Sequence, residues 1–495
     1  MSPLRRFAFS TVNFTIFISA SALAVDSTHN AEFAAKEAKS DACYTWSWRG
    51  ENPERRTRRN LTPLDKIEGF APASDPETDK YGGWTGTNVG NSDGFFRVRK
   101  IDGRWWFVDP EGNLFLAKSV ASFNPGRSRD EDRVRERLFG PRKEWAEREI
   151  AFVKSIGFNS LGAWASPEAM WLASNRIPYT MILSPMATYN HALDKAGKEQ
   201  ELFSRIDRKS GSSFGFPFVF DPGFEATAEK VLSRAAEHKD DPWLIGYFID
   251  NEVQFRITML EDCLTKWPEG HLNRDSAKAW LDRRKGRRDC TAADIDEADK
   301  KAFAAYCIDL YFSKVSRILR KYDKNHLFLG SRFHTWAAEM ENPECFKVAG
   351  KYLDVVSLNH YRWDLDLKLA QMWERESGKP FMVTEFYAKG ADSGLGNTSG
   401  AGFVVPTQED RGLFYQHFAG RLLRSPACVG WTWFTYRDNP ANDGNKGIVS
   451  WDFKRYEPLV RRMKEFNCRV FNLVRFLDGK ALADGDRQLK ERGNR

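Results

Sequence analysis

Two glutamates carry the clearest chemical signal in this chain. Glu252 sits in IGYFIDNEVQF (245–255), directly after Asp250 and Asn251, and Glu385 lies near the end of PFMVTEF (380–386). Apolar runs of this kind read as buried strands, and a core does not hold a carboxyl–amide–carboxyl cluster without partners. Two acids brought face to face suit glycosidic cleavage. One protonates the leaving oxygen, and the other attacks the anomeric carbon or activates water there. The acid needs a pKa raised by burial or by the second carboxylate. The nucleophile must stay ionised, which a nearby Arg or Tyr favours. Asn251, next to Glu252, can donate to a sugar hydroxyl, and aromatic rings at a rim can stack on the C–H face of a sugar. A metal-assisted reading uses the same acids less well. Three strands separate them, too far for one ion, and no HExxH or His cluster is present. A non-catalytic sugar-binding surface would need neither glutamate.

The elements that must position these residues alternate along the chain. Short apolar strands are predicted at 114–120, 158–164, 179–185, 243–252, 326–333, 353–361, 380–386 and 428–436. Helical periodicity falls between them, most clearly at 142–157, 223–238 and 300–323, with a last helix at 456–474. Gly157 reads as a helix C-cap and Ser166-Pro167 as a helix start. Eight strand–helix units point to an α/β fold, a (β/α)8 TIM barrel, and no glycine-rich phosphate turn supports an open doubly wound sheet. Barrel active sites sit at the C-terminal strand ends. There the sequence places Asp250-Asn251-Glu252, Ser331-Arg332-Phe333-His334, Asn359-His360-Tyr361, Glu385 and Trp433 to Asp438. Taken singly, Arg332 is a structural counter-charge, His360 a core histidine and Trp433 ordinary barrel core. Asp250 shares the strand parity of Glu252 and is expected to point inward below it, as support or as a working group. Upstream, GFFRVRKIDGRWWFVDPEGNLFLAKS (94–119) has alternating apolar residues broken at Asp102-Gly103 and Asp109–Gly112, the pattern of tight β-hairpins that plug or flank the barrel.

Bulk properties narrow the class further. The 495 residues are 41% hydrophobic and 29% charged, an ordinary globular balance rather than a disordered one. Arg5-Arg6, the apolar stretch 7–21 and Ala22-Leu23-Ala24 form an export-signal pattern over residues 1–24, so the mature chain is expected to be secreted or periplasmic. Cleavage there lowers the formal charge from +7 to +5, because two Arg and no acid are lost. That is too mild for a nucleic-acid binder. No later run is apolar enough for membrane insertion. The seven Cys show no metal-ligand spacing; Cys263 and Cys290 could pair in an oxidising compartment, whereas Cys307 and Cys428 read as buried thiols. Residues 25–112 are read as a polar, exposed leader followed by the hairpin element, 113–476 as the catalytic barrel and 477–495 as a polar tail.

Asn-Glu at the fourth strand end and Glu at the seventh resemble the pattern of clan A glycoside hydrolases, which are retaining β/α-barrel enzymes. The segments GFFRVRKIDGRWWFVDPEGNLFLAKSV, DDPWLIGYFIDNEV, NHLFLGSRF, GWTWFTYRDNP and KGIVSWDFKRYEPLV resemble the β-agarases of family 50 and their relatives across residues 80–475. The resemblance implies that Glu252 is the acid/base and Glu385 the nucleophile, that Asn251 touches the sugar at the cleavage point, and that Asn359, Tyr361 and Trp433 occupy subsite positions. Arg332, His360 and Asp438 join them as candidate substrate contacts on the same rim. It also implies a polysaccharide substrate of the agar-galactan type and no cofactor. Other clan A β-galactosidases or β-glucanases remain the alternative, because the charged stretch 254–299 and the first strand end, Ala121 to Asn124, depart from the pattern.

Overall fold

The structure is a computed structural model and describes residues 42–45, 57–90, 93–126, 128–196, 217–334, 338–439, 441 and 443–479. The export-signal pattern at 1–24 and the tail beyond 479 lie outside the described residues. Strands β1 (Ala42–Thr45) and β2 (Thr57–Asn60) pair antiparallel. Strands β3 (Arg97–Ile101), β4 (Arg104–Val108) and β5 (Leu114–Phe115) form a three-stranded antiparallel sheet. The chain then enters the main sheet through β6 (Ala117–Val120), β7 (Ser160–Leu161), β8 (Tyr179–Leu183), β9 (Leu244–Ile249), β10 (Leu327–Phe328), β11 (Phe333–His334), β12 (Val356–Asn359) and β13 (Phe381–Phe386). A small parallel pair, β14 (Ala388–Gly390) and β15 (Phe403–Val405), precedes the last main strand, β16 (Cys428–Trp433).

The main sheet has nine strands in the order β10-β9-β8-β7-β6-β16-β13-β12-β11, and every neighbouring pair is parallel. Its strands are buried on both faces, as a parallel sheet covered by helices requires. Side chains alternate between two apolar cores. Tyr247, Phe328, Val356, Val383 and Trp431 face the helices. Ile245, Leu327, Leu329, Val355, Met382 and Val429 face the other side, where Tyr81, Phe96, Phe107 and Phe115 join them. The three-stranded sheet and the segment before it therefore supply aromatic filling to the inner core.

The predicted strands match the observed ones in place, with two informative breaks. The run at 114–120 divides between β5 of the three-stranded sheet and β6 of the main sheet. The run at 326–333 forms two short strands, because Gly330 (φ 84°) and Arg332 (φ 56°) adopt left-handed backbone between them. The charged stretch 254–299 is folded. Helices Met259–Lys266 and Leu272–Lys285 bury Cys263, Leu264, Ala277 and Leu281. Cys263 and Cys290 are buried free thiols, not a bridge. The leader is less exposed than its polarity suggests. Leu64, Phe70, Tyr81 and Trp84 are buried, and the backbone N–H of Thr62 and Leu64 donates to His417 Nδ1 and Gln416 Oε1. A few widely spaced apolar residues anchor a segment whose average composition reads as solvated.

Candidate active site

The chain leaves β9 in a strained turn that aims its polar residues apart. Asp250 (φ 60°) and Glu252 (φ 53°) both hold left-handed backbone, which costs an L-residue about 1–2 kcal/mol each. The backbone N–H of Asp250 donates to Leu183 O at 2.7 Å and that of Glu252 to Ser331 O at 3.0 Å, which locks the turn to both neighbouring segments. The turn breaks strand alternation, so Asp250 does not lie below Glu252. Its carboxylate instead accepts from the backbone N–H of Met186 and Ala187, in the first turn of helix Pro185–Lys195, and from Tyr311 OH at 2.8 Å. Burial pushes the Asp250 carboxyl up to about 6 against the three donors, which pull it down. Asp250 is a clamp between helices and not a group of the cleft.

Glu252 and Glu385 belong to one buried network. Arg332, fully buried, donates from Nη2 to Glu385 Oε1 and from Nε to Asn251 Oδ1 at 2.7 Å. Tyr361 OH donates to the second oxygen, Glu385 Oε2. Asn359 Nδ2 donates to Glu252 Oε1 at 2.6 Å, and its own Oδ1 accepts from Thr384 Oγ1 at 2.8 Å, which fixes the amide orientation. His334 Nε2 stands 4.0 Å from Glu252 Oε1. These groups come from the C-terminal ends of β9, β11, β12 and β13 and from Arg332 beside β11. The register that pairs His334 with Asn359, and Asn359 with Glu385, brings those three strand ends level.

The electrostatics divide the two carboxyls. Burial raises the Glu385 carboxyl above its ordinary range, and the nearby Glu252 carboxylate adds to the rise. Arg332 and Tyr361 oppose it by donating to the ionised form. The cationic and hydroxyl donors gather on Glu385, whereas Glu252 meets the neutral amide of Asn359. Burial and the Glu385 charge together raise the Tyr361 phenol well above its usual range, so it remains a donor.

The rim around the pair is aromatic. The Arg332 guanidinium lies 4.7 Å from the Trp164 ring centroid. Trp164 meets Phe434 at 6.1 Å, Phe434 meets Tyr387 at 5.9 Å, and Tyr387 meets Tyr361 at 5.5 Å between ring centroids. Two buried carboxyl groups with different donors, set among aromatic walls, can host a sugar ring and cleave its glycosidic bond.

The comparisons with known proteins point the same way. No family model matches the chain. β-Agarase B of Vibrio sp. (strain JT0107) is 27% identical over 535 residues, covering 86% of this chain and 53% of that protein. The chain is similar to β-agarases. It spans about half the length of the curated relatives it matches. Among solved structures, BpGH50 superposes with a TM-score of 0.76 at 27% identity, over 88% of this chain and 96% of that one. An exo-β-agarase superposes with a TM-score of 0.66 at 23% identity, over 83% and 70%, a likeness that bears on the fold.

Of the residues expected at the site, Glu252, Glu385, Asn251, Asn359, Tyr361 and Arg332 converge, and three others do not. His360 packs between Trp373 and Phe418, its Nε2 lies 3.2 Å from Asp364 O, and burial pushes its pKa down to about 4. It follows Asn359 in the strand and so faces the helices. Trp433 is fully buried against Phe386 and Tyr415, and its Nε1–H donates to Lys446 O. Asp438 accepts from the backbone N–H of Lys446 and Gly447, from Asn445 Nδ2 and from Tyr456 OH. The last two shape the loop that follows β16. His334 and Phe434 were placed on the rim by the sequence without a role, whereas Trp164 and Tyr387 are site neighbours that sequence reasoning did not single out. Trp164 flanks a strand end, so position was the available signal.

Proposed function

We propose that this chain is a retaining β-glycoside hydrolase that cleaves an agar-type galactan. The observation that carries the reading is the buried pair itself: Glu385 held by Arg332 and Tyr361, and Glu252 held by Asn359 at neighbouring strand ends. In the first step Glu385 attacks the anomeric carbon while Glu252 gives its proton to the departing oxygen. In the second, Glu252 takes a proton from water, and that water displaces Glu385. Asn251, oriented by Arg332, is the candidate donor to the sugar hydroxyl beside the broken bond. Relationship to β-agarases supports the galactan substrate. No cofactor enters this scheme.

The same reading includes closure of the main sheet into an eight-stranded barrel spanning residues 113–476. Its two terminal strands, β10 and β11, are consecutive in the chain with four residues between them, which supports their being halves of one strand. Export follows from the pattern at residues 1–24, and among the described residues no helix is long and apolar enough to cross a membrane.

The test is hydrolysis of agarose, porphyran, carrageenan and β-glucans by the wild type and two variants. Glu385→Ala and Glu252→Gln are each expected to lower kcat on the preferred polymer by on the order of 10³-fold or more. Wild-type-like hydrolysis by either variant would sink the reading. Proton NMR of the first-formed product should show the β-anomer; initial α-product would rule out double displacement.

A further inference from the structure

A cavity at the other end of the main sheet has no part in the scheme above. It has a volume of about 450 Å³ and is lined by Asp75, Tyr81, Trp84, Lys118, Lys154 and Phe158, among others. Lys118 is the second residue of β6, and two more lining residues, Asn159 and Pro178, immediately precede β7 and β8. In this parallel sheet those are N-terminal strand ends, whereas Glu252, Asn359 and Glu385 stand at the C-terminal ones.

Two lysines give the cavity donors to spare. Lys118 is locked to Asn159: its backbone N–H donates to Asn159 Oδ1 at 2.8 Å, and the Asn159 N–H donates to Lys118 O at 3.0 Å. Its buried ammonium donates to Asn467 O at 2.9 Å and lies 5.5 Å from the Trp84 ring centroid. Lys154, in the last turn of helix Arg142–Ser155, donates from Nζ to Asn175 Oδ1 at 2.8 Å and to Arg176 O at 2.6 Å. An ammonium has three N–H groups, so Lys118 keeps two beyond these bonds and Lys154 keeps one. The acids of the lining are engaged elsewhere. The two oxygens of Asp75 accept from the backbone N–H of Phe471 and Asn472, in the first turn of helix Val470–Leu477. Asp79 Oδ1 accepts from the N–H of Tyr81, Gly82 and Gly83, and its Oδ2 from Asn113 Nδ2. Burial lowers the pKa of both lysines, and Asp75 opposes this at Lys118 by favouring the ammonium.

We propose that this cavity binds a compact organic oxyanion, a ring-sized molecule bearing a carboxylate or a sulfate, with Lys118 and Lys154 as its anchoring donors. The inference is independent of the glycosidase reading. An oxyanion supplies acceptors for the spare N–H groups and offsets the cost of holding two ammonium charges away from water. Tyr81, Trp84, Phe158 and Pro178 give the ring an apolar wall beside those charges, and the volume lies in the range of small-molecule sites, about 300–1,000 Å³. A neutral sugar meets the same wall but leaves the charges uncompensated.

The test is titration calorimetry of the full chain with galacturonate, galactose 6-sulfate and, as the neutral control, galactose. One or both charged sugars are expected to bind at least tenfold more tightly than galactose, and the tighter of the two identifies the oxyanion. Lys154→Gln is expected to raise the Kd of that ligand about tenfold, the scale of one charge-assisted hydrogen bond. Lys118→Met should do the same where its melting temperature shows that it folds. Glu385→Gln is expected to leave the Kd unchanged, because the carboxylate pair lies at the other strand ends. Cys468, a half-buried free thiol, lines the same cavity and reports its occupancy. The bound ligand should slow its alkylation by iodoacetamide severalfold, read by mass spectrometry. Galactose binding as tightly as the charged sugars, an unchanged Kd in Lys154→Gln, a shifted Kd in Glu385→Gln or an unprotected Cys468 overturns the site. A wild type that binds the charged sugar and fails to cleave agarose would sink the glycosidase reading and leave this site standing.

Discussion

Arg332 does two jobs with one side chain. It donates to Glu385 and to Asn251 from different nitrogens of the same planar fork, and it lies over Trp164. A lysine has one charged point and cannot span both acceptors. Arg332→Met removes the cation that pulls the Glu385 carboxyl down, so burial and Glu252 act unopposed from that side. The acidic limb of the kcat/KM profile is then expected to move to higher pH, and kcat/KM to fall roughly 10–100-fold, the scale of a charge-assisted hydrogen bond. Arg332→Lys should return the limb part of the way without returning the rate. A limb that stays in place in Arg332→Met contradicts the assignment of Glu385 as the ionised partner. At this scale the sequence is informative about residue types: two Glu, an Arg, a Tyr and two Asn at strand ends all meet. It is silent on pairing, since Arg332 is 53 residues from Glu385 in the chain.

Elements decide which way those residues face. The turn after β9 illustrates it, because alternation predicts Asp250 inward and left-handed backbone turns it onto the N-terminus of helix Pro185–Lys195. Asp250 is therefore expected to matter for stability, with a defined pH signature. Its folded pKa, about 6, lies above the ordinary Asp value of about 3.9. The folded state binds the proton more tightly, so this contribution is fully present below about pH 4 and is lost as pH rises through about 6. The stability difference between wild type and Asp250→Asn, measured by urea unfolding, should shrink across that window. A difference that grows with pH would refute the raised value. The same scale explains Trp433 and Asp438. Both lie where a barrel puts its active-site residues, yet one faces the helices and the other folds a loop around itself. Strand position was legible; the local backbone that selects a face was not.

For the whole molecule, the question is what joins the N-terminal strands to the rest. Arg104 in β4 is almost fully buried and makes two bonds to Asp478, at 2.7 and 2.8 Å, and two more to the carbonyls of Leu423 and Ser425. One side chain thus ties the N-terminal sheet to the end of helix Val470–Leu477 and to the segment leading into β16. Arg104→Ala leaves Asp478 and two carbonyls without their donor and is expected to cost about 3–5 kcal/mol, the range for breaking a buried ion pair. Phe107→Ala, in the inner core beside Met382 and Val429, should cost a similar 3–5 kcal/mol through the cavity it leaves. Equilibrium denaturation checks both, and changes below about 1 kcal/mol would show the N-terminal sheet to be an independent attachment.

By itself the sequence determined the succession of strands and helices and the rim on which polar residues gather, because periodicity and strand-end polarity are local properties of a chain that buries its apolar faces. Tertiary structure alone decided that Arg332 and Tyr361 hold Glu385, that Asp250 serves a helix, that His360 and Trp433 belong to the core, and that the polar leader is anchored by Leu64, Phe70 and Trp84. Those outcomes depend on backbone angles at single residues and on contacts between segments from 24 to more than 350 residues apart, and neither leaves a periodic trace in the sequence.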